Sequence, residues 1–361
     1  MRRSTKIAAV TVAAVLTLAG CAKSNNSSSS GSSSSSDALD CKTLEGNGPK
    51  VGIAYDVGGQ GDYSFNDSAV RGMRKAAADF GATCVEGEAQ LNEPESARED
   101  RLRNLADAGA NPVIGVGFSY SDSVNAVAPD YPKISFGVID GFDPDKTPNK
   151  NVAYLDFAAN QGSFLVGVAA ALKTKANHVG FVGGVHNDLI KAFEAGYTAG
   201  VKAVNPKIKV DVKYIEESNL SGFNDPAGGK AAGAAEYQDG ADIVYAVAGG
   251  SGSGVFDAAV DAGKGKWAIG VDSDQYLSAS GPQKPHILTS ALKRVDIATY
   301  DMIQSVKNGK PLTGYRTYDL AQNGVGYATS GGFVDDIKTK INAYADKIKS
   351  GKIKVPTAPS D

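Results

Sequence analysis

Residues Tyr55-Asp-Val-Gly-Gly-Gln-Gly-Asp-Tyr-Ser-Phe-Asn66 join a short apolar segment to a segment with helical periodicity. Residues 50–54 predict a strand, and apolar side chains recur at helical spacing over residues 66–80. A polar, glycine-rich loop in this position lies at the carboxyl end of a strand, where open α/β sheets bind their ligands. The stretch therefore predicts a binding loop at the start of an α/β fold.

The loop contains residue types that suit a small polar ligand. Its glycines allow close approach of the backbone, Asp56 and Asp62 are hydrogen-bond acceptors, and Phe65 offers a flat apolar face. The alternative is a solvent-exposed loop in which Asn66 and its neighbours only cap the following helix.

The N-terminal residues have the pattern of an export signal. Basic residues precede an apolar run that is too short for a good membrane span, and Leu18-Ala-Gly-Cys21 resembles the lipobox of bacterial lipoproteins. We therefore expect residues 1–20 to be a signal peptide and Cys21 to carry a lipid anchor on the extracytoplasmic face of the cell membrane. The serine-rich residues 21–40 are expected to form a disordered tether. An ordinary secretory signal with an incidental cysteine is the alternative.

The remaining chain is long enough for two domains. The protein has 361 residues and a formal net charge of −3, and its basic residues are scattered. This charge pattern argues against a nucleic-acid-binding surface. We expect a monomer.

Two cysteines follow Cys21. Cys41 lies upstream of the first predicted strand, and Cys84 lies at the start of the second, residues 83–86. If these strands are neighbours, both cysteines lie at the amino-terminal edge of the sheet, opposite the binding loop. A disulfide persists outside the membrane, so we expect Cys41 and Cys84 to be bonded.

Strand and helix patterns alternate along the body, which predicts parallel sheets with helices on both faces. The expected strands are residues 50–54, 83–86, 112–116, 133–138, 152–155, 178–182, 208–215, 242–247, 267–271, 286–292, 315–320 and 325–328. The expected helices are residues 66–80, 95–108, 121–128, 158–172, 189–204, 228–239, 254–262, 295–307 and 334–348.

The alternating strands and helices fall into two successive sets of similar size, followed by a C-terminal tail. This pattern predicts two lobes between which the chain crosses several times. We assign residues 41–156 and about 284–312 to an N-terminal lobe, and residues 157–283 and about 313–356 to a C-terminal lobe. Such a molecule has a cleft that closes by hinge bending, with hinges expected near Asp156, residues 278–284 and residues 309–314.

Several predicted strands end in polar or glycine-rich loops that face one crevice in such a fold. Asp140 and Gly249 lie in two of these loops, and Asp272 and Asp274 follow another strand. Carboxylates there suit a sugar diol, since an ionised carboxylate accepts two hydrogen bonds. Lys293 can balance an acid or donate to ligand oxygens. Ordinary helix caps, turns and a surface lysine are the alternatives.

Phe223 lies in a segment rich in turn residues, where a ring is exposed unless something covers it. If Phe65 comes from one lobe and Phe223 from the other, a flat heterocycle can stack between them. Stacking of this kind contributes about 1–3 kcal/mol per base.

The chain lacks the patterns of an enzyme. The glycines at residues 249–254 do not fit Gly-x-Gly-x-x-Gly, no Walker A motif occurs, and no nucleophile–base pair can be assigned. His178, His186 and His286 lack metal-ligand spacing. We expect no catalysis, no metal and no cofactor.

Taken in order, the motifs resemble the basic membrane lipoprotein family of ABC-transporter binding proteins, whose best-known members bind purine nucleosides. The matching segments are Asp56-Val-Gly-Gly with Ser64-Phe-Asn66, Gly117-Phe118, Phe136-Gly-Val-Ile-Asp140, Gln161-Gly-Ser-Phe-Leu-Val-Gly167, Gly249-Gly250 with Gly252, Gly270-Val-Asp-Ser-Asp-Gln275 and Ser290-Ala-Leu-Lys293.

This resemblance implies a type I periplasmic-binding-protein fold and delivery of a nucleoside to an ABC permease that works with an ATPase. It implies that Phe65 and Phe223 hold the base, with Asp140 reading the base edge and Asn66 as a further polar contact. The residues implied to hold the ribose are Asp56, Gly249, Asp272 and Lys293.

The residues also leave open a lipoprotein of the same fold that binds a sugar or a signal molecule and acts as a sensor without transport. A ligand recognised by its ribose alone would favour this alternative, because it would leave both rings unused.

Overall fold

The computed structural model describes residues 38–143 and 149–359; the predicted signal peptide, Cys21 and most of the predicted tether lie outside these ranges. Within them, strands and helices alternate as the sequence predicts, with ends that differ by a few residues. The strands are β1 (Lys50–Tyr55), β2 (Thr83–Glu88), β3 (Val113–Val116), β4 (Phe136–Ile139), β5 (Val152–Phe157), β6 (His178–Val185), β7 (Lys209–Glu216), β8 (Ile243–Val247), β9 (Trp267–Asp272), β10 (Ile287–Lys293), β11 (Gly314–Tyr318) and β12 (Val325–Tyr327). The helices are α1 (Phe65–Phe80), α2 (Glu95–Asp107), α3 (Ser121–Val127), α4 (Ala159–Lys173), α5 (Asp188–Val204), α6 (Pro226–Gln238), α7 (Gly252–Ala262), α8 (Gln275–Ser278), α9 (Val295–Lys307) and α10 (Lys338–Lys349). The short α8 is an addition to the predicted set.

The strands of the described residues form two six-stranded sheets. The first has the order β11-β5-β4-β3-β1-β2, and its neighbouring strands are parallel. The second has the order β12-β10-β9-β8-β6-β7, and it is parallel except for β12, which runs antiparallel to β10. The predicted α/β class with two parallel-sheet lobes is confirmed. The N-terminal lobe is defined here by the first sheet and the C-terminal lobe by the second.

Apolar strands and one-sided helices build the cores. β3, β4 and β8 are buried along their whole length, as expected for parallel strands covered on both faces. α1 buries Met73 and Ala76 among other small and apolar residues, and it ends at Gly81, whose φ of 68° suits a glycine cap.

The lobe assignment of two strands differs from the sequence-based expectation. β10 lies in the second sheet because it pairs with β9, and β11 lies in the first because it pairs with β5. The order of elements along the chain does not show that β10 lies beside β9 or that β11 lies beside β5. The intervening α9 packs against α1 of the N-terminal lobe, as expected.

The crossings between the sheets follow from these pairings. In the described residues the chain leaves the first sheet after β5, leaves the second after β10, and returns to it after β11. The first crossing agrees with the hinge expected near Asp156. The other two hinges were expected at residues 278–284 and 309–314, which lie within single lobes, so those positions were wrong.

Cys41 and Cys84 form a disulfide, with Cα atoms 4.9 Å apart. Cys84 is near the start of β2, so the bond lies at the amino end of the first sheet. Within residues 38–143 and 149–359, no helix is both long enough and apolar enough to cross a membrane.

Candidate functional site

A cavity of about 60 Å³ lies at the carboxyl ends of strands from both sheets. Its lining residues are Asp56, Val57, Asp62, Phe65, Asn66, Phe118, Asp140, Leu189, Ile190, Phe193, Phe223, Val247, Gly249, Val271, Asp272 and Lys293. The structure thus brings all the residues selected for ligand binding to one cavity: Asp56, Phe65, Asn66, Asp140, Phe223, Gly249, Asp272 and Lys293.

The loop between β1 and α1 is held by its own side chains. The carboxylate of Asp62 accepts hydrogen bonds from the backbone N–H groups of Ser64, Asn66 and Asp67, so it caps the start of α1. The amide oxygen of Asn66 accepts from the backbone N–H of Asp56 at 3.0 Å. These bonds fix the position of Phe65, the first residue of α1.

Asp56 has a buried carboxylate that accepts two hydrogen bonds. Its Oδ1 accepts from the backbone N–H of Val57 at 2.8 Å and from Ser119 Oγ at 3.1 Å. Burial disfavours the charged form and raises the pKa of Asp56 to about 6, although these hydrogen bonds oppose the shift.

Asp140 and Lys293 form a buried ion pair between the lobes. Lys293 ends β10, and its Nζ donates to Oδ2 of Asp140, which follows β4. The side chains of Lys293 and Asp140 are 4% and 3% exposed. The other oxygen, Asp140 Oδ1, is buried and has no hydrogen-bond partner among the described residues. It is therefore an available acceptor at the cavity.

Aromatic rings surround the Lys293 ammonium. Its Nζ lies 4.7 Å from the ring centroid of Phe65, 5.2 Å from that of Phe157 and 5.6 Å from that of Phe193. Such distances stabilise a desolvated cation. The ion pair and Phe65 thus form one packed unit.

Asp272 connects the lobes at a second point. It ends β9 with a φ of 61°, and its Oδ2 accepts from Ser64 Oγ at 2.7 Å. Burial raises its pKa. Ser273 Oγ also donates to the backbone oxygen of Ser64 at 2.6 Å. Asp274 lies outside the cavity lining and accepts from Ser330 Oγ at 2.6 Å.

Phe223 and Gly249 are adjacent on the C-terminal lobe. Phe223 ends the short 3-10 turn Leu220–Phe223, and its ring packs over Gly184, where an added Cβ would lie 2.5 Å from Cδ1 of the ring. Gly249 has a φ of 53°, and a Cβ there would lie 3.1 Å from the backbone oxygen of Phe223. Gly184 and Gly249 therefore cannot be replaced by a larger residue while Phe223 keeps this position.

Sequence reasoning missed much of the apolar lining and one polar contact. Phe193 lies within α5, where its periodicity reads as ordinary core packing. Val247 ends β8 and Val271 precedes the last residue of β9, and neither side chain carries a polar group that would mark it. The sequence marks Ser64 only as part of a motif, and its contact with Asp272 joins segments that are far apart in the chain.

The arrangement suits binding of a polar molecule with a flat apolar part. The lining combines carboxylates, one ammonium and aromatic rings. In the described ranges, no cluster of His, Cys, Asp and Glu is placed to hold a metal ion. His178 bonds to Asp211 and His186 to Glu217, both away from the cavity.

Comparisons with known proteins agree with this architecture. The sequence matches the family described as Bmp, ABC transporter substrate-binding protein PnrA-like, over residues 50–358. A Lactococcus lactis protein named ABC transporter nucleoside-binding protein BmpA is 34% identical over 369 residues, which cover 99% of this chain and 99% of that protein. The CD4+ T-cell-stimulating antigen of Listeria monocytogenes is 37% identical over 327 residues, which cover 86% of this chain and 88% of that protein.

Among solved structures, an ABC transporter solute-binding protein from Aeropyrum pernix K1 has a TM-score of 0.74 and 28% sequence identity, covering 87% of this chain and 94% of that chain. This likeness and the two-sheet topology confirm the predicted periplasmic-binding-protein fold. The family is one of substrate-binding proteins and not of enzymes. The chain belongs to the Bmp family of PnrA-like ABC transporter substrate-binding proteins.

Proposed function

We propose that this protein binds a nucleoside, with a preference for purines, and holds the base between Phe65 and Phe223. The observation that carries the proposal is one cavity that receives an aromatic ring from each lobe and carboxylates from both. Two rings on one cavity favour a planar heterocycle, and the carboxylates suit hydroxyl and N–H donors. The Lactococcus lactis relative is named as a nucleoside-binding protein, which supports the same ligand class.

The polar groups divide between the two parts of the ligand. Asp140 Oδ1, which lacks a partner among the described residues, accepts a hydrogen bond from the base edge, and Asn66 adds a polar contact. The residues that hold the ribose in this proposal are Asp56, Gly249, Asp272 and Lys293. Each lobe supplies part of the contacts, so the ligand favours the closed arrangement by its differential affinity for it.

The bound nucleoside is then delivered to an ABC permease. The protein acts as a monomer on the extracytoplasmic face of the cell membrane, and a lipid on Cys21 anchors it there. The lipobox-like segment ending at Cys21 supports the anchor, and the family supports the permease as partner.

Titration calorimetry with adenosine, guanosine, inosine, cytidine, uridine and free ribose tests the ligand class. Purine nucleosides are expected to bind most tightly and ribose not at all. Binding of ribose with the same affinity as adenosine would support a sugar-binding protein instead. No binding of any nucleoside would contradict the proposal.

The two rings are tested by Phe65→Ala and Phe223→Ala. Each change is expected to weaken purine binding by about 1–3 kcal/mol, because it removes one stacking surface. Phe142→Ala is the matched control, since Phe142 is 46% exposed and does not line the cavity. Unchanged affinity in both ring variants would place the ligand elsewhere.

A further inference from the structure

The segment of residues 219–224, between β7 and α6, is fixed to the C-terminal lobe. It contains the 3-10 turn Leu220–Phe223. Gly222 lies so close to the backbone of Gly184 in β6 that a Cβ has no room. The next residue after the segment, Asp225, donates its backbone N–H to Ser251 Oγ at 2.6 Å. Any movement of the C-terminal lobe therefore carries this turn with it.

Two side chains of the segment nevertheless contact the N-terminal lobe. Leu220 is half-buried and packs against an apolar cluster that includes Val57 and Ala89, which follow β1 and β2. In the part of the chain that the structure describes, the remaining members and neighbours of this cluster belong to the N-terminal lobe. Asn219 Nδ2 donates to Asn92 Oδ1 at 3.1 Å. Separation of the lobes must break both contacts.

The same turn also carries Phe223, whose ring lines the cavity, whereas Leu220 does not line it. One rigid turn thus connects a ligand-facing ring to an apolar contact across the lobes. We infer that residues 219–223 form a latch, in which Leu220 seated on the N-terminal lobe holds the cavity closed. This inference rests on the proposed function for the identity of the ligand, but the contact of Leu220 is independent of it.

In this latch, ligand binding and lobe closure favour each other because Phe223 and Leu220 lie on the same turn. A base stacked on Phe223 holds the turn in the place where Leu220 is covered, and a seated Leu220 keeps Phe223 against the base. Apolar burial contributes more than the solvent-exposed bond from Asn219, so Leu220 is the main component. Leu220 is a positioning residue that governs how long the ligand stays.

The closed fraction of the molecule tests the latch directly. Fluorophores are attached to cysteines that replace Asp100 in α2 and Asp261 in α7, in the full chain with Cys21→Ser, and the distance between them reports lobe closure. Leu220→Ala is expected to lower the equilibrium ratio of closed to open molecules by roughly tenfold. Val212→Ala is the control, because Val212 is 38% exposed, lies in the edge strand β7 of the second sheet and does not line the cavity. Measurements are made without ligand and with saturating adenosine and guanosine.

Ligand kinetics provide a second readout. Stopped-flow experiments with adenosine and guanosine are expected to show a dissociation rate that is roughly tenfold faster in Leu220→Ala, with an association rate changed much less. A thermal unfolding scan of the variant shows that the lobes remain folded.

The outcomes separate the latch from the proposed ligand. If wild type binds no nucleoside but Leu220→Ala still lowers the closed fraction, the latch stands and the nucleoside proposal fails. If nucleosides bind and Leu220→Ala matches wild type in closed fraction and dissociation rate, the latch is overturned and the proposed function stands. Equal closed fractions in wild type and Leu220→Ala under every condition overturn the latch whatever the ligand.

Discussion

The two halves of the cavity differ in chemistry. The N-terminal lobe supplies most of the hydrogen-bonding groups, with Asp56, Asn66 and Asp140 beside the ring of Phe65. The C-terminal lobe supplies mainly apolar surface; its polar side chains in the lining are Asp272 and Lys293. Directional groups on one side select a ligand, while apolar groups on the other exclude water and strengthen those hydrogen bonds. The difference suggests that the N-terminal lobe discriminates between ligands and the C-terminal lobe covers them.

The largest expected effect comes from the ion pair that joins the halves. Lys293→Met removes the ammonium and leaves Asp140 buried near Asp56 and Asp272 without a balancing charge. The free energy of unfolding is expected to fall by about 3–5 kcal/mol, as measured by denaturant titration at pH 7.5. The double variant Lys293→Met with Asp140→Asn is expected to recover most of this loss. If the double variant is as unstable as the single one, the lysine acts by packing and not by charge.

The next prediction compares one acid from each half. Asp140→Asn is expected to weaken purine binding by about 1.5–3 kcal/mol, because it changes the carboxylate whose unpartnered Oδ1 we propose as the acceptor for the base edge. The loss should depend on which base is offered. Asp272→Asn should weaken the binding of all nucleosides by a similar amount, since the ribose is common to them. Both substitutions keep the left-handed backbone accessible, because asparagine tolerates it well.

Calorimetry with the nucleoside panel checks this comparison. Asp122→Asn is the control, because Asp122 is exposed on α3 and does not line the cavity. A base-independent loss in Asp140→Asn would show that the N-terminal lobe does not discriminate between bases.

The smallest effect is expected from pH. Burial raises the pKa of Asp56 to about 6, and a ligand hydroxyl that donates to this carboxyl favours its ionised form. Protons therefore compete with the ligand, and affinity should fall as the pH is lowered from 8 to 5, by at most tenfold per pH unit below about 6. Calorimetry across this pH range should show that the affinity of Asp56→Asn depends less on pH than that of the wild type. An affinity that rises as the pH falls would contradict the assigned role of Asp56.

Much of the cavity was predictable because parallel strands end at one edge of a sheet. Asp56, Asp140 and Asp272 each lie at or just after the end of an apolar strand, so each is expected at the carboxyl edge of its own sheet, where such folds bind their ligands. Phe223 was predictable from its segment of turn residues, and the resemblance to the family implied its role beside the base.

What the sequence did not reveal depends on tertiary contacts. The sheets to which β10 and β11 belong are decided by their neighbours β9 and β5, and an apolar strand pattern fits either sheet. Leu220 reads as an apolar residue in a turn, and its contact with the N-terminal lobe exists only once the lobes meet. Phe193 likewise reads as helix packing until α5 is placed beside Lys293.

A crystal structure of the protein with adenosine bound tests the central claim most directly. We expect the base to lie between the rings of Phe65 and Phe223, with Asp140 Oδ1 within hydrogen-bond distance of the base edge and the ribose on the side of Asp56 and Asp272. A base that contacts neither ring, or a nucleoside bound outside this cavity, would contradict the account.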